Sequence, residues 1–73
     1  MNKIKSIEIE KKSSKTRLIR EINEECTEIV MVWEVIRGSE QINLKIECFY
    51  VDNTCSVILI PFNNINEVKI NYA

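Results

Sequence analysis

The chain contains no histidine, and that absence removes more chemistry than any residue present supplies. Without imidazole there is no neutral-pH general base, no Ser-His or Cys-His pair and no histidine metal ligand. A single glycine, Gly38, leaves no phosphate-cradling loop of the P-loop or dinucleotide type. The single aspartate, Asp52, lies in a Val-Asp-Asn-Thr stretch, where such a side chain usually bonds its own backbone in a turn. Glu24, Glu25 and Glu28 are the densest carboxylates, but nothing fixes them together, and they read as a polar connection. Cys26, Cys48 and Cys55 are odd in number and lack the short paired spacings of a zinc site. They read as reduced thiols, two of them in the core. We therefore expect no catalysis, no cofactor and no metal.

Long apolar runs are missing too. No segment approaches the roughly 18 consecutive apolar residues of a membrane span. Met1 to Lys12 alternates Ile with Lys and Glu and lacks the apolar stretch of a signal peptide. The expectation is a cytoplasmic protein with one domain spanning residues 1–73. A chain of this length buries only about 60 % of its unfolded surface. Small domains often add disulfides, a metal or a second subunit, and here the second subunit is the one left open.

What is present is alternation. With turns at Gly38-Ser39 and Asp52-Asn53, residues 29–60 read as three antiparallel strands. Val35 then faces Ile42, Trp33 faces Leu44, Met31 faces Ile46 and Ile29 faces Cys48. Continuing the row, Cys48 faces Val57 and Ile46 faces Leu59, while Cys55 faces Tyr50. Such a register is specified only where one face is buried, because a one-residue slip reverses every side chain. This assigns Trp33 to the core. Residues 3–10 and 65–72 alternate as further strands. Residues 16–26 are open: Leu18, Ile22 and Cys26 also follow helical spacing, but no capping box starts a helix there. The expected fold is mostly β, an antiparallel meander of five to six strands forming a small barrel or sheet, with a short helix within 16–26 as the alternative.

The second face of the meander carries Val30, Val32, Glu34 and Ile36, then Asn43, Lys45, Glu47 and Phe49, and on this register Ile58, Ile60 and Phe62. It is too apolar for plain solvent surface, and contiguous apolar patches mark contact sites. Charge is uneven as well: residues 1–20 carry +5 and residues 21–73 carry −6, consistent with the formal net charge of −1. The basic part is tipped by Lys11, Lys12, Lys15 and Arg17, and either docks on phosphate or an acidic surface or is a solvated hairpin tip. The candidate binding residues are these four together with Phe49, Ile58, Ile60 and Phe62.

The last quarter, VILIPFNNINEVKI, resembles the closing strands of small OB and Sm-like barrels, which bind single-stranded nucleic acid. No residue roles carry over from that resemblance, and a pI near 5.4 suits a general nucleic-acid binder poorly. In size and composition the chain is similar to small blocking proteins of phages and mobile elements. The reading is a non-catalytic binding protein that occludes a macromolecular partner, in the style of such an inhibitor of a host protein, and works as a homo-oligomer. The alternative is a nucleic-acid- or nucleotide-binding small barrel using the basic arm.

Overall fold

A computed structural model describes residues 3–14 and 16–73. Six strands follow one another: β1 (Ile4–Lys11), β2 (Arg17–Glu21), β3 (Cys26–Val35), β4 (Ile42–Tyr50), β5 (Cys55–Pro61) and β6 (Ile65–Tyr72), with one 3₁₀ turn at Phe62–Asn64 before β6. They form two three-stranded antiparallel sheets. The terminal sheet has the order β2-β1-β6 and the central sheet the order β3-β4-β5. Among the described residues no ladder joins one sheet to the other, so the meander does not close into a barrel. The segment 16–26 is strand β2 and a turn, not a helix: Asn23 Oδ1 accepts from the backbone N–H groups of Glu25 and Cys26, which starts β3 instead of prolonging β2.

The first hairpin keeps the register read from the alternation. Val35 lies opposite Ile42, Trp33 opposite Leu44, Met31 opposite Ile46 and Ile29 opposite Cys48. The turn differs from a two-residue loop. The Ser39 N–H donates to the Ile36 carbonyl, and Gly38, with φ +84°, takes the second central position. Positive φ there is the requirement of a type II turn, which glycine meets without a Cβ clash.

The second hairpin is one residue out from the sequence reading. Its loop is Val51-Asp52-Asn53, closed by the Tyr50 N–H on the Thr54 carbonyl at 3.0 Å and by the Asn53 N–H on the Tyr50 carbonyl at 3.1 Å. Asn53 adopts φ 69°. Asparagine tolerates that left-handed conformation, and a turn followed by such a residue is a common three-residue hairpin loop. Asp52 reinforces it by accepting from the Thr54 N–H at 3.0 Å. The extra loop residue reverses β5. Ser56, Ile58 and Ile60 lie opposite Cys48, Ile46 and Leu44, whereas Val57 and Leu59 lie opposite Glu47 and Lys45. The expected pairs Cys48–Val57, Ile46–Leu59 and Tyr50–Cys55 are therefore replaced.

Both sheets turn one face inward. β1 supplies Ile7 and Ile9, β4 supplies Leu44, Ile46 and Cys48, β5 supplies Ile60, and β3 supplies Cys26 and Ile29. Cys26 and Ile29 differ in parity yet both point in, because a bulge between Cys26 and Glu28 shifts the alternation by one. The cover over the central sheet comes from both chain ends: Ile70 and Val68 of β6 sit opposite Ile7 and Ile9 of β1 and pack against the same core. The outer face of the terminal sheet is polar. Arg17 bridges Glu8 at 2.8 Å and Glu10 at 3.3 Å across the β1–β2 ladder.

Candidate functional site

Strand lengths decide what stays uncovered. β3 and β4 have ten and nine residues, against five in β2. The covering strands β1 and β6 have eight residues each, so the cover is shorter than β3 by two residues along its main strands and by five at β2. The inward face of the central sheet's far end is bare: Trp33 is 48 % exposed and Phe62 60 %, and Val35 and Ile42 beside them are also exposed. The Trp33 and Phe62 rings meet edge to face with centroids 5.7 Å apart. Trp33 thus holds the strand position read from the sequence but not the burial. Its core assignment is corrected: half of its surface stays in water, and its recorded aromatic partner is the exposed Phe62.

The second uncovered surface is the outward face of the central sheet. Glu47 is flanked by Val30 and Val57, and Lys45 by Val32 and Leu59. Val57 and Leu59 are 52 % and 53 % exposed, and both β3 valines are exposed too. Lys45 Nζ lies 3.8 Å from Glu47 Oε1 along the middle of the patch. A third feature is a groove of about 370 Å³ along the free edge of β3, lined by Ile22, Glu28, Val30 and Met31 with Lys5 and Ala73 opposite.

The residues singled out by sequence are scattered over these surfaces. Ile60 is 1 % exposed, in the core, and Ile58 packs against it, so neither belongs to the outward face. The one-residue longer loop is the reason. Phe49 does lie on that face, opposite Cys55, and is partly buried. Phe62 belongs to the aromatic end. Arg17 is engaged by two carboxylates, which leaves little of its charge for a ligand. Lys11 and Lys12 cap β1, and the Lys12 N–H donates to the Asn64 carbonyl at 2.8 Å, which holds this basic tip next to the turn bearing Phe62. Lys15 lies outside the described residues. The structure adds Trp33, Val35, Ile42, Val57 and Leu59, which sequence reasoning missed or assigned elsewhere.

Among the described residues no group of His, Cys, Asp or Glu is placed to hold a metal ion. The three cysteines are free thiols, Cys26 and Cys48 buried and Cys55 exposed. Burial, with Cys26 adding to it, pushes the Cys48 thiol up, away from the thiolate a nucleophile needs. The Glu8 carboxyl is lowered by its hydrogen bond from Arg17, and Asp52 by those from Thr54. Both are exposed groups in structural roles. Among the described residues no helix is long and apolar enough to cross a membrane. No family model, curated protein or solved structure matches the chain.

Proposed function

We propose that this protein is a non-catalytic, cytoplasmic binding protein that works by covering part of a macromolecular partner, in the manner of a small phage- or mobile-element-encoded inhibitor, and that it self-associates. The observation that carries the reading is the exposed aromatic end, Trp33 against Phe62 with Val35 and Ile42 beside them. Aromatic side chains that keep a large apolar surface in water dominate binding energy at protein interfaces, tryptophan above all. A ring already ordered by its neighbour also loses less conformational entropy on docking.

The test compares the wild type with a Trp33→Ala/Phe62→Ala double variant as bait in lysate of the source cell. The expected result is one stoichiometric protein retained by the wild type and lost by the variant, with both baits showing the same strand signal in circular dichroism. Equal retention by both, or none by either, overturns the reading.

A second reading has its own observation: the basic Lys11-Lys12 tip and the aromatic pair share one end of the molecule through the Lys12–Asn64 bond. Cations beside stackable rings bind single strands. On that reading, an oligothymidine quenches Trp33 emission in a salt-sensitive way, and Lys11→Ala/Lys12→Ala abolishes the quenching. Unchanged emission at low salt eliminates it.

A further inference from the structure

The outward face of the central sheet is complementary to itself, and we propose that it is where a second copy of this chain docks, face to face, with Lys45 of each copy against Glu47 of the other. The inference gives a surface and a geometry to the self-association in the reading above, and does not depend on the identity of any blocked partner. Two adjacent rows carry it. One reads Val30-Glu47-Val57 across the three strands, the other Val32-Lys45-Leu59. Each is a charge between two exposed aliphatic side chains, and the charges are opposite.

Face-to-face packing of two copies needs a two-fold axis in the plane of contact, and there are two simple choices. An axis along β4 puts Lys45 on Lys45 and Glu47 on Glu47. An axis across β4, between the two rows, puts Lys45 on Glu47 twice, Val30 on Val32 and Val57 on Leu59. Both match apolar to apolar, but in the two central rows only the second sets charge against opposite charge. At the β3 edge it also brings Glu28 of each copy level with Glu34 of the other. Like charges face to face are unfavourable, and the four central charges, nearest the axis, select it. The resulting four-charge cluster is neutral, and each ammonium meets a carboxylate on its own strand at 3.8 Å and another across the interface. Removing such charges from water offsets much of their attraction. Their contribution is to geometry, while the aliphatic contacts supply the affinity.

The total exposed area leaves room for one interface of standard size. The molecule exposes 5498 Å². A compact monomer of its 8.6 kDa mass is expected to expose about 4,700 Å². The surplus, roughly 800 Å², is about what one partner contributes to a standard interface.

Charge exchange tests the geometry by sedimentation equilibrium. The wild type is expected at twice the chain mass in the micromolar range. Lys45→Glu and Glu47→Lys, each alone, are expected to weaken the dimer by roughly tenfold or more, because each places like charges in contact. Mixing the two single variants restores a dimer containing one of each, since both crossed contacts are then attractive. The Lys45→Glu/Glu47→Lys double variant dimerises by itself for the same reason. All these side chains are at least partly exposed, and a circular dichroism spectrum shows that each variant folds. A dimer indifferent to both exchanges overturns this surface and leaves self-association standing. Single variants that dissociate but do not recombine overturn the crossed axis. A wild type that stays monomeric overturns both the surface and the self-association.

Discussion

Two backbone positions carry much of the topology. Gly38 and Asn53 are the residues with positive φ among those described, at +84° and 69°, one in each hairpin of the central sheet. A Cβ placed on Gly38 meets no atom within 4 Å, so the cost of Gly38→Ala is conformational and not steric. It is expected to be about 1 kcal/mol in urea denaturation. Asn53→Ala is expected to cost a similar amount, roughly 1 kcal/mol, while Asn53→Gly is neutral or stabilising because glycine enters the left-handed region freely. A stabilising Asn53→Ala variant would rule out the three-residue loop. The Glu8–Arg17 bond fixes a pH dependence in the same way. The folded-state pKa of Glu8 is lowered, first by the hydrogen bond from Arg17. A lowered carboxyl contributes stability above its unfolded value and loses it as pH falls through the folded value. Asp52 acts in the same direction. The melting temperature is therefore expected to hold through neutral pH and fall below the ordinary carboxylate range, with a shallower fall in Glu8→Gln/Asp52→Asn. An equal acid slope in that variant would place the linkage elsewhere.

Strand β5 shows how a single loop residue redistributes an element. Its alternation was legible, as was its pairing with β4, but not its phase. Both a two-residue and a three-residue loop can be read from Val-Asp-Asn-Thr, and they differ by the one step that exchanges Ile58 and Ile60 for Val57 and Leu59. Substitutions distinguish the two phases. In the Lys45→Glu background, chosen to disfavour the proposed dimer, Ile60→Val is expected to cost about 1 kcal/mol as a buried methyl is lost. Leu59→Ala is expected to stay within about 0.5 kcal/mol, as for an exposed site. The reverse order would restore the shorter loop. β3 gives the opposite lesson. Its register with β4 was read correctly from Ile29–Cys48 to Val35–Ile42, short of the bulge between Cys26 and Glu28. Its burial was not, because pairing is settled between neighbouring strands while burial depends on how far a distant sheet extends. The candidate site followed the same division. Alternation placed Lys45, Glu47, Val30 and Val32 on the outward face without marking them as binding residues; of the aromatic end it marked Phe62, on the wrong face, and put Trp33 in the core.

The molecule as a whole is open for its size. Its radius of gyration is 12.9 Å, against about 11 Å for a compact chain of 73 residues. One core of eight buried apolar side chains holds two three-stranded sheets. Such a core leaves a narrow margin of stability, and binding to the folded form widens it by mass action. The melting temperature is therefore expected to rise with protein concentration in the wild type and to stay constant in Lys45→Glu. A concentration-independent midpoint in both would contradict the dimer. Trp33 lies on the inward side of the central sheet, away from the proposed dimer face, so iodide is expected to quench its emission equally in monomer and dimer. Protection on dimerisation would place the contact at the aromatic end instead.

Composition and alternation were enough to exclude histidine and phosphate-loop chemistry, to identify every strand but β2 and to set the register of the first hairpin from Ile29 to Val35. These are local properties: the direction of successive Cβ atoms and the turn preference of a few neighbouring residues. Three matters awaited the tertiary structure. The pairing of β1 with β6 joined the two ends of the chain into a cover, the three-residue loop chose the inward face of β5, and the extent of that cover left Trp33 and Phe62 in water. Each depends on where segments distant in sequence come to lie, because burial is a relation between a side chain and whatever packs over it.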